Sequence, residues 1–523
     1  MFYFVPSWYQ GNRKWYMEAP LWFRAIENMT FDDAVNQLKT FQAAGEETMM
    51  LLLGYQPHLR YFLHRQDILS TPYWSFFDEI QNIQSKNTKV LQVTDLTWPQ
   101  GARFVYTPFA LLVKIGDERI AEVHFAESGN LLKVEYFKEN EVTYHYLFDD
   151  RGFLSSILYF SDGKPSHQDY LNEKGVWQVR EHLTKASNLI TINPRADQEF
   201  FQLAYESWDD LILEKLFFFK RLRMTEQDYL VITVHEQHNR LLLDAFEQQK
   251  KVLSFSGDRY SLQEGSDLKR LAQEGDVLVV DSEKNKLALE YSLAQLGTPA
   301  HHVSKVTPFD TRLRLGRSQT VKELIIYWQM DGASREDYLQ TLHVLLQLME
   351  ENPLIELDIV SYERARNMKA LESELIALLQ EKYTLARFMK VSEEAGENQL
   401  EEDQEMTLSS IRFHTFTNEN QIIRQLDTTR LVLDLGQVPH LYTQIASISA
   451  GIPQVNRQAS EYVTHGENGW IVTGIKDLTE AVAYYFDGLT NWNRSLVSTV
   501  QKMGDYTSGR IIDQWKELLE NKG

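Results

Sequence analysis

Short apolar runs alternate with stretches of helical spacing along most of the chain. Phe2 to Val5 forms the first run, a helical pattern covers about 30–44 with Thr30 as the expected N-cap, and Met49 to Leu53 forms the second run. The run DVLVVD at 276–281 is continuously apolar between its two acids, as is typical of a parallel strand covered on both faces. This alternation predicts parallel α/β domains.

The pattern changes to strand, turn and strand between about residues 102 and 189. Gly129, Gly152 and Gly175 lie 23 residues apart, and an apolar residue precedes each glycine by four positions: Phe125, Phe148 and Leu171. Glycine accepts the positive φ that a tight turn requires, and the period fits a meander of hairpins. We therefore predict an extended antiparallel sheet over 102–189, inserted into a first Rossmann-like domain formed by 1–101 and 190–307.

The α/β alternation resumes after the insertion and continues to the end of the chain. A second Rossmann-like domain is expected over 308–505, with Tyr362 to Gln380 as a long helix, and a C-terminal helix over 506–523. The fold class predicted is α/β with two Rossmann-like domains, arranged as in GT-B proteins, and an inserted extended antiparallel β-sheet domain.

Charge and composition narrow the function classes. The 523 residues carry a net charge of −21, from 53 basic and 74 acidic side chains. This charge argues against nonspecific nucleic-acid binding, which needs a basic surface that displaces counterions from phosphate. The absence of cysteine excludes disulfides, thiolate zinc sites and a cysteine nucleophile. Because no apolar stretch approaches about 18 residues and no signal-peptide core is present, we expect a soluble cytoplasmic protein.

Several candidate features favour structural roles. His235 and His238 in HEQHN have metal-ligand spacing but no third ligand in a motif, so a loop near a sheet crevice is the better interpretation. His301 and His302 have no nucleophile motif beside them. Trp8, Trp15 and Trp22 recur every seven residues; they suit core packing better than sugar stacking. The acidic stretch 393–405 is expected to be a solvated loop, with a docking surface for a basic partner as the alternative.

Motifs of several enzyme classes are missing from the chain. There is no Walker A sequence, no GxGxxG fingerprint and no GxSxG elbow. ATPase, dinucleotide-binding and serine-hydrolase functions therefore lose support. Neither a metal nor a cofactor is predicted.

One block near the C-terminus resembles the donor site of retaining GT-B glycosyltransferases. In GIPQVNRQASEYVTHGENGWIV, Gly451 and Pro453 match the small-residue turn of that family, Glu461 matches its acidic step, and Asn468 and Gly469 match its strand entry. In such enzymes a helix N-terminus and cationic side chains hold the diphosphate of the donor, and two glutamates hold the sugar and ribose. The block therefore supports a GT-B scaffold.

The residues that would contact a sugar nucleotide are largely absent. The two glutamate positions fall on Val438 and Ala446, and the paired glycines are replaced by residues around Arg457. The strand IIYWQMDG lacks the clamp arginine; Arg335 supplies only part of the missing charge. Without these contacts the electrostatic stabilisation of a glycosyl transfer is lost, so no catalytic residue and no tight sugar-nucleotide binding are predicted.

Four segments resemble a known family along the full length of the chain. MFYFVPSWYQGNRKWY, TFDDAVNQLKTFQAAGE, YQPHLRYFLHRQD and FDDRGFLSSILYF are similar to sequences of the accessory Sec system protein one family. The resemblance implies a non-enzymatic GT-B-like protein of Gram-positive bacteria that serves the export of glycosylated serine-rich-repeat adhesins. It implies three classes of partner: two other accessory Sec proteins, a specialised accessory SecA motor ATPase and the glycosylated adhesin. Membrane association is then peripheral, at the inner face of the cell membrane and only through the translocon.

Three functions remain open from the sequence. The first is a non-catalytic adaptor in adhesin export. The second is an active glycosyltransferase in which Glu461, Arg335 and Arg457 rebuild the donor site. The third is a module that binds glycans without transferring them, which is compatible with the first.

Overall fold

The computed structural model describes most of the chain. The described residues are 1–9, 13–17, 21, 32–86, 88–184, 189–263, 267–298, 303–391 and 406–520. Thr30, Trp22, His301, His302 and the acidic stretch 393–405 lie outside them. Among the described residues, no helix has the length and apolar character that crossing a bilayer needs.

The chain opens with alternating strands and helices. They are β1 (Phe2–Val5), α1 (Asp33–Ala43), β2 (Thr48–Leu52), α2 (Leu59–Arg65), β3 (Tyr73–Ser75) and α3 (Phe76–Gln81). Asp32 caps α1 by accepting a hydrogen bond from the backbone N–H of Val35, so the N-cap lies two residues after the predicted Thr30. Trp15 is buried in the core, whereas Trp8 is only half-buried.

A ten-stranded antiparallel sheet follows, as predicted. Its strands are β4 (Arg103–Tyr106), β5 (Leu111–Ile115), β6 (Glu118–Phe125), β7 (Leu131–Lys138), β8 (Glu141–Asp149), β9 (Phe153–Ser161), β10 (Lys164–Leu171), β11 (Trp177–His182), β12 (Ile190–Ile192) and β13 (Ala204–Tyr205). The three periodic glycines lie in its turns with positive φ, at 81° for Gly129, 91° for Gly152 and 78° for Gly175. The sheet extends past residue 189, because β12 pairs with β11 and β13 pairs with β12.

The first domain then resumes with four more strands. Its elements are α4 (Trp208–Arg223), β14 (Tyr229–Thr233), α5 (Asn239–Ala245), β15 (Lys250–Phe255), α6 (Leu268–Glu274), β16 (Val277–Val280), α7 (Glu283–Gln295) and β17 (Val303–Lys305). These strands join β1, β2 and β3 in one parallel sheet with the order β17-β16-β15-β14-β1-β2-β3. The ten-stranded sheet is therefore an insertion into a split Rossmann-like domain, in agreement with the predicted fold class.

The second domain is also built on a parallel sheet. Its elements are β18 (Leu324–Gln329), α8 (Arg335–Glu351), β19 (Ile355–Ser361), α9 (Met368–Lys382), α10 (Leu385–Phe388), β20 (Met389–Val391), β21 (Met406–Leu408), β22 (Ile411–Thr415), α11 (Glu419–Leu426), β23 (Leu431–Asp434), α12 (Leu441–Ala450), β24 (Gln454–Asn456), β25 (Gly469–Ile471), α13 (Leu478–Phe486) and α14 (Leu489–Met503). The sheet order is β22-β19-β18-β23-β24-β25, and β20 and β21 form a separate antiparallel pair.

One predicted helix of this domain starts later than expected. The helix expected from Tyr362 begins at Met368, after the cap residue Asn367. Tyr362 instead follows β19 in the buried core, where its backbone N–H donates to Asp331. A tyrosine that lies between an apolar run and a helical pattern can be assigned from the sequence either to the strand or to the helix.

The last helix, α15 (Ser508–Glu520), returns to the first domain. Trp515 is 1% exposed and packs edge-on against Phe41 of α1, with ring centroids 5.2 Å apart. Lys516 forms an ion pair of 2.7 Å with Glu46. The chain therefore crosses between the two domains twice, which ties them together at both ends of the second domain.

A buried cation joins the ten-stranded sheet to the first domain. The guanidinium of Arg151, in the turn between β8 and β9, donates to both oxygens of Asp78 on α3 at 2.7 and 2.8 Å. It also donates to both oxygens of Asp149 at 2.7 and 2.8 Å. At the neighbouring Gly152 a Cβ atom would lie 1.8 Å from the carbonyl oxygen of Lys89, so only glycine fits there. Planar bidentate pairs of this kind fix orientation as well as position.

We predict that Arg151→Met lowers the free energy of unfolding by about 3–5 kcal/mol, because it leaves two carboxylates without their cation in a largely buried site. The matched control is Arg317→Met. Arg317 makes a similar pair with Asp427 at 2.7 Å, but its side chain is 73% exposed. The control should cost less than about 1 kcal/mol. Urea unfolding followed by tryptophan fluorescence gives both values, and equal losses would show that Arg151 does not hold the sheet in place.

Candidate functional site

Both parallel sheets reverse their strand order at one point. The order changes direction between β1 and β14 in the first sheet and between β18 and β23 in the second. In open parallel sheets, ligands bind in the crevice outside the carboxyl ends of the strands at this switch point. A ligand site in this fold is therefore expected at one of the two switch points.

A large cavity lies between the two domains. Its volume is about 990 Å³. The loops after β1 and β2 and the start of α1 form the first-domain wall, and the start of α11 and one side of α12 form the second-domain wall. We call this cavity the cleft. Asn36 Nδ2 donates to Glu419 Oε1 across it at 3.3 Å, so the two walls are in direct contact at one point.

Aromatic and acidic side chains line the first-domain wall. Trp8 donates its indole N–H to Asp32 Oδ2 at 2.9 Å, and Asp32 Oδ1 accepts from the Val35 amide at 2.9 Å. Burial and the neighbouring Asp33 carboxylate raise the pKa of Asp32 to about 6. Both oxygens of Asp32 are therefore engaged in holding Trp8 and the start of α1 in position.

The histidine pair of HEQHN lies beside this wall. His238 is buried; its Nε2 donates to the Thr233 carbonyl at 2.7 Å and its Nδ1 accepts from the Tyr9 hydroxyl at 2.7 Å. Burial lowers the pKa of His238 to about 3. Within the part of the chain that the structure describes, no group of three or more histidine, aspartate or glutamate side chains can hold a metal ion. His238 is a neutral core histidine at the first switch point.

The second-domain wall lacks the two glutamates that hold the donor in glycosyltransferases. Ala446 on α12 lines the cleft with a methyl group, at a position where the resemblance to glycosyltransferases places a glutamate. Val438, at the other such position, lies 61% exposed in the loop before α12. Tyr442 and Ile445 on α12 also line this wall. Its polar residues include Asp310, Arg312, Arg314, Asn418 and Glu419. The two positions where the resemblance places glutamates therefore carry apolar side chains, whereas the wall as a whole is mixed.

The switch point of the second sheet is closed by its own loops. The amide of Gln437 donates to the Gly332 carbonyl at 3.4 Å, which joins the loop after β23 to the loop after β18. A Cβ atom on Gly436 would lie 3.0 Å from the Asp331 carbonyl oxygen, so the two backbones are in close contact. The loops after β18 and β23 therefore contact each other directly at this switch point.

Two aspartates, one half-buried and one fully buried, hold the loops at this switch point in place. Asp331 accepts from the Ser361 hydroxyl at 2.6 Å and from the Tyr362 amide at 2.7 Å. Asp434 Oδ2 accepts from the His440 amide and from Gln444 Nε2, both at 2.8 Å. Burial raises the pKa of both carboxyls. Sequence reasoning missed these residues, although Asp434 ends the apolar strand β23 and Asp331 lies two residues after β18. A carboxylate at the end of an apolar strand was the available signal.

The turn residues of the C-terminal block shape the backbone. Gly451 ends α12 in the left-handed region with φ 75°, and Pro453 precedes β24. Asn468 is 1% exposed; it donates to the Tyr462 carbonyl and accepts from the Thr464 amide, both at 2.7 Å. At Gly469 a Cβ atom would lie 2.6 Å from the Gln454 carbonyl oxygen. Each contact is internal to the fold.

The three charged residues predicted near a donor site are each paired within the chain. Arg335 forms an ion pair with Glu374. Arg457 Nη1 donates to Asp337 Oδ2 at 2.8 Å. Glu461 Oε1 lies 3.8 Å from Lys305 Nζ of β17, which is a contact between the two domains. These pairings involve different elements, and none of the three residues lines the cleft.

Comparison with known proteins gives one family for the whole chain. The family model described as accessory Sec system protein one matches residues 1–522. A protein of that description from Streptococcus gordonii is 38% identical over 526 residues, which cover 99% of this chain and 99% of the relative. A second one, from Staphylococcus aureus, is 29% identical over 100% of this chain and 99% of its own length.

Solved structures give the same family and the wider fold. A crystal structure of accessory secretory proteins 1, 2 and 3 from Streptococcus pneumoniae contains a chain with TM-score 0.82 and 32% identity, covering 100% of this chain and 99% of that one. The pneumococcal O-GlcNAc transferase GtfA, solved with UDP and GlcNAc, has TM-score 0.69 at 13% identity, covering 100% and 98%. The latter likeness shows the fold alone, which is GT-B-like.

We predict that His238→Gln weakens the pH dependence of stability. The folded-state pKa of about 3 lies below the ordinary value of 6.5, so between these values the unfolded chain takes up a proton that the folded chain does not. Stability therefore falls as the pH falls through this window. Between pH 7 and pH 5 the wild type should lose about 2 kcal/mol more than the variant.

Tyr9→Phe is the control for this experiment. It removes the hydroxyl that donates to His238 but retains the imidazole. It should lower stability by about 1–3 kcal/mol at both pH values and keep the wild-type slope, because a buried acceptor loses its partner. Urea unfolding at the two pH values gives these numbers. A wild-type slope in His238→Gln would show that this imidazole titrates normally.

Proposed function

The chain belongs to the accessory Sec system protein one family, and we propose that it acts there as a non-catalytic adaptor. The observation that carries this proposal is the closed switch point of the second sheet, where the loops after β18 and β23 are joined by the hydrogen bond from Gln437 to Gly332. A GT-B enzyme needs this crevice for the donor. Because the loops after β18 and β23 contact each other across this crevice, we infer that the scaffold serves a function other than glycosyl transfer.

Electrostatics supports the same proposal. A sugar-nucleotide diphosphate needs unpaired cations. The two arginines predicted near the donor site are each engaged in an ion pair, Arg335 with Glu374 and Arg457 with Asp337. Releasing either arginine would leave a carboxylate beside the incoming phosphates, and like charges at that distance repel. Val438 and Ala446 offer no side-chain acceptor to sugar hydroxyls. These features disfavour the active glycosyltransferase among the three open functions.

Partners follow from the family and from the solved relatives. The pneumococcal relative was crystallised as a complex of accessory secretory proteins 1, 2 and 3. We infer that this chain assembles in the same way with two other accessory Sec proteins. In the proposed role it also contacts the accessory SecA motor ATPase and the glycosylated serine-rich-repeat adhesin during export. Its place is then the cytoplasm, with peripheral contact at the inner face of the membrane through the translocon.

A glycan-binding role of the cleft is the second candidate. The cleft has room for several sugar rings, with a volume of about 990 Å³, and it exposes parts of Trp8 and Tyr9. Aromatic faces beside polar groups are suited to sugars. This function is compatible with the adaptor role, because a glycosylated substrate presents such groups.

The adaptor proposal predicts assembly without donor binding. Mixed with the two other accessory Sec proteins, the purified chain should elute with them as one species in size-exclusion chromatography. Calorimetry with UDP-GlcNAc should give no binding tighter than about 1 mM, because the crevice is closed and the arginines are paired. Failure to co-elute would overturn the adaptor role. Micromolar UDP-GlcNAc binding that is lost in Glu461→Ala would instead support the active enzyme.

The glycan candidate predicts an effect of Trp8. If the cleft holds sugar rings, N-acetylglucosamine should perturb tryptophan fluorescence in the wild type, and Trp8→Ala should weaken this binding by about tenfold, as for loss of a stacked aromatic ring. Trp470→Ala is the matched control, because Trp470 packs on Tyr484 outside the cleft. Equal binding by both variants would exclude the cleft as the glycan site.

A further inference from the structure

One edge of the ten-stranded sheet is open and apolar. Its outermost strand, β4, pairs only with β5, and no strand of the described residues lies on its other side. All four of its residues are exposed. Val105 is 43% exposed and Tyr106 is 83% exposed, and Phe109 just beyond the strand is 58% exposed. Proteins usually blunt such edges, because an open edge can pair with another strand.

Apart from Arg103 at its start, the usual protections are missing from this edge. β4 contains no proline and no lysine, and its pairing with β5 runs without a bulge through all four residues. The opposite edge of the same sheet ends in β13, which has only two residues. The two edges of this sheet therefore differ in length and regularity, and only the β4 edge offers a regular strand with exposed apolar side chains.

The ladder shows which backbone groups face outward. The amide of Thr107 donates to the Ala110 carbonyl at 3.1 Å, which closes the hairpin between β4 and β5. In an antiparallel pair, hydrogen-bonded and non-hydrogen-bonded positions alternate, so Val105 bonds to Leu112 of β5. The N–H and C=O groups of Phe104 and Tyr106 then point away from β5, to the open side. They offer four backbone hydrogen bonds to an added strand.

Cations accompany this edge in an otherwise acidic protein. Arg103 lies opposite Lys114 in the ladder, and Lys114 lies opposite Arg119 of β6. Arg119 pairs with Glu122 at 3.1 Å, and Arg103 donates to the Gly116 carbonyl. Within the described ranges, no carboxylate forms an ion pair with Arg103 or Lys114. With a net charge of −21 on the whole chain, this row of cations is a local exception.

We propose that the β4 edge binds a β-strand of a different protein by strand addition. The added strand bonds to the backbone of Phe104 and Tyr106, covers their side chains with apolar groups, and places carboxylates beside Arg103 and Lys114. A second copy of this chain fits less well, because it would bring together two chains that each carry −21. The inference relies on the proposed function only for the identity of the protein partners tested below.

Hydrogen exchange tests the proposal on the whole protein. Amide exchange is measured by mass spectrometry for the free chain, with the two other accessory Sec proteins, and with a short synthetic peptide that alternates valine and glutamate. Exchange at Phe104 and Tyr106 should slow by about tenfold or more on binding, because their amides gain partners. The Val105 amide, already bonded to β5, is the internal reference and should stay protected throughout.

Variants of Tyr106 separate the backbone from the side chain. Tyr106→Pro removes an outward donor without removing a bond to β5, and should weaken partner binding by about tenfold. Tyr106→Thr keeps the N–H and the preference for a strand, and should have a smaller effect. Tyr291→Thr is the control, because Tyr291 on α7 is also highly exposed, at 68%, and should bind as the wild type does. Circular dichroism confirms that each variant folds.

The outcomes distinguish this proposal from the proposed function. Partner binding with slowed exchange at Phe104 and Tyr106 supports both. Partner binding without slowed exchange overturns strand addition and leaves the adaptor role intact. Slowed exchange with the peptide but no binding of the protein partners supports the edge and overturns the adaptor role. Unchanged exchange with every probe overturns strand addition, even if Tyr106→Pro fails to fold.

Discussion

Two neighbouring parallel strands can be joined only by a connection that crosses back to the edge of the sheet where the first strand began. This constraint organises the whole molecule. Both sheets meet it with a strand order that reverses once, between β1 and β14 and between β18 and β23. All loops at the carboxyl ends of the strands then gather on one side of each sheet. Because the chain crosses between the domains twice, these sides enclose a single cleft. The position of any ligand site is decided by this topology before any particular side chain matters.

The second switch point is filled by a continuous polar network. Tyr327 and Tyr362 join their hydroxyls at 2.7 Å, Tyr362 reaches Thr443 at 2.6 Å, and Thr443 contacts His440 Nδ1 at 2.8 Å. His440 in turn bonds through its amide to Asp434. A buried network of this kind is stable only when its members satisfy one another, so it resists opening for a ligand. The molecule thus combines a GT-B-like scaffold with a hydrogen-bonded second switch point and a spacious cleft between the domains.

Much of this architecture could be predicted from the sequence. Gly129, Gly152 and Gly175 marked the inserted sheet because only glycine accepts their positive φ without strain. Buried parallel strands were visible as continuous apolar runs. The boundaries of the elements were harder to predict from the sequence. Tyr362 looked like the start of a helix. β12 and β13 had no glycine repeat that would assign them to the insertion. Asp331 and Asp434 were missed because, in the sequence, a carboxylate near the end of a strand looks the same whether it binds a ligand or a neighbouring loop.

The sequence by itself determined the class of the fold, the insertion and the apolar residue types at Val438 and Ala446, where the resemblance places glutamates, since these depend on residue type and spacing along the chain. Only the tertiary structure decided that Arg335 and Arg457 are paired with carboxylates, that Gln437 reaches Gly332, and that β4 is left without a neighbour. Contacts between residues far apart in sequence depend on how the sheets and helices pack, and no local pattern encodes them. For this reason the scaffold can be recognised from the sequence, whereas the closed crevice and the open edge can be recognised only from the folded chain.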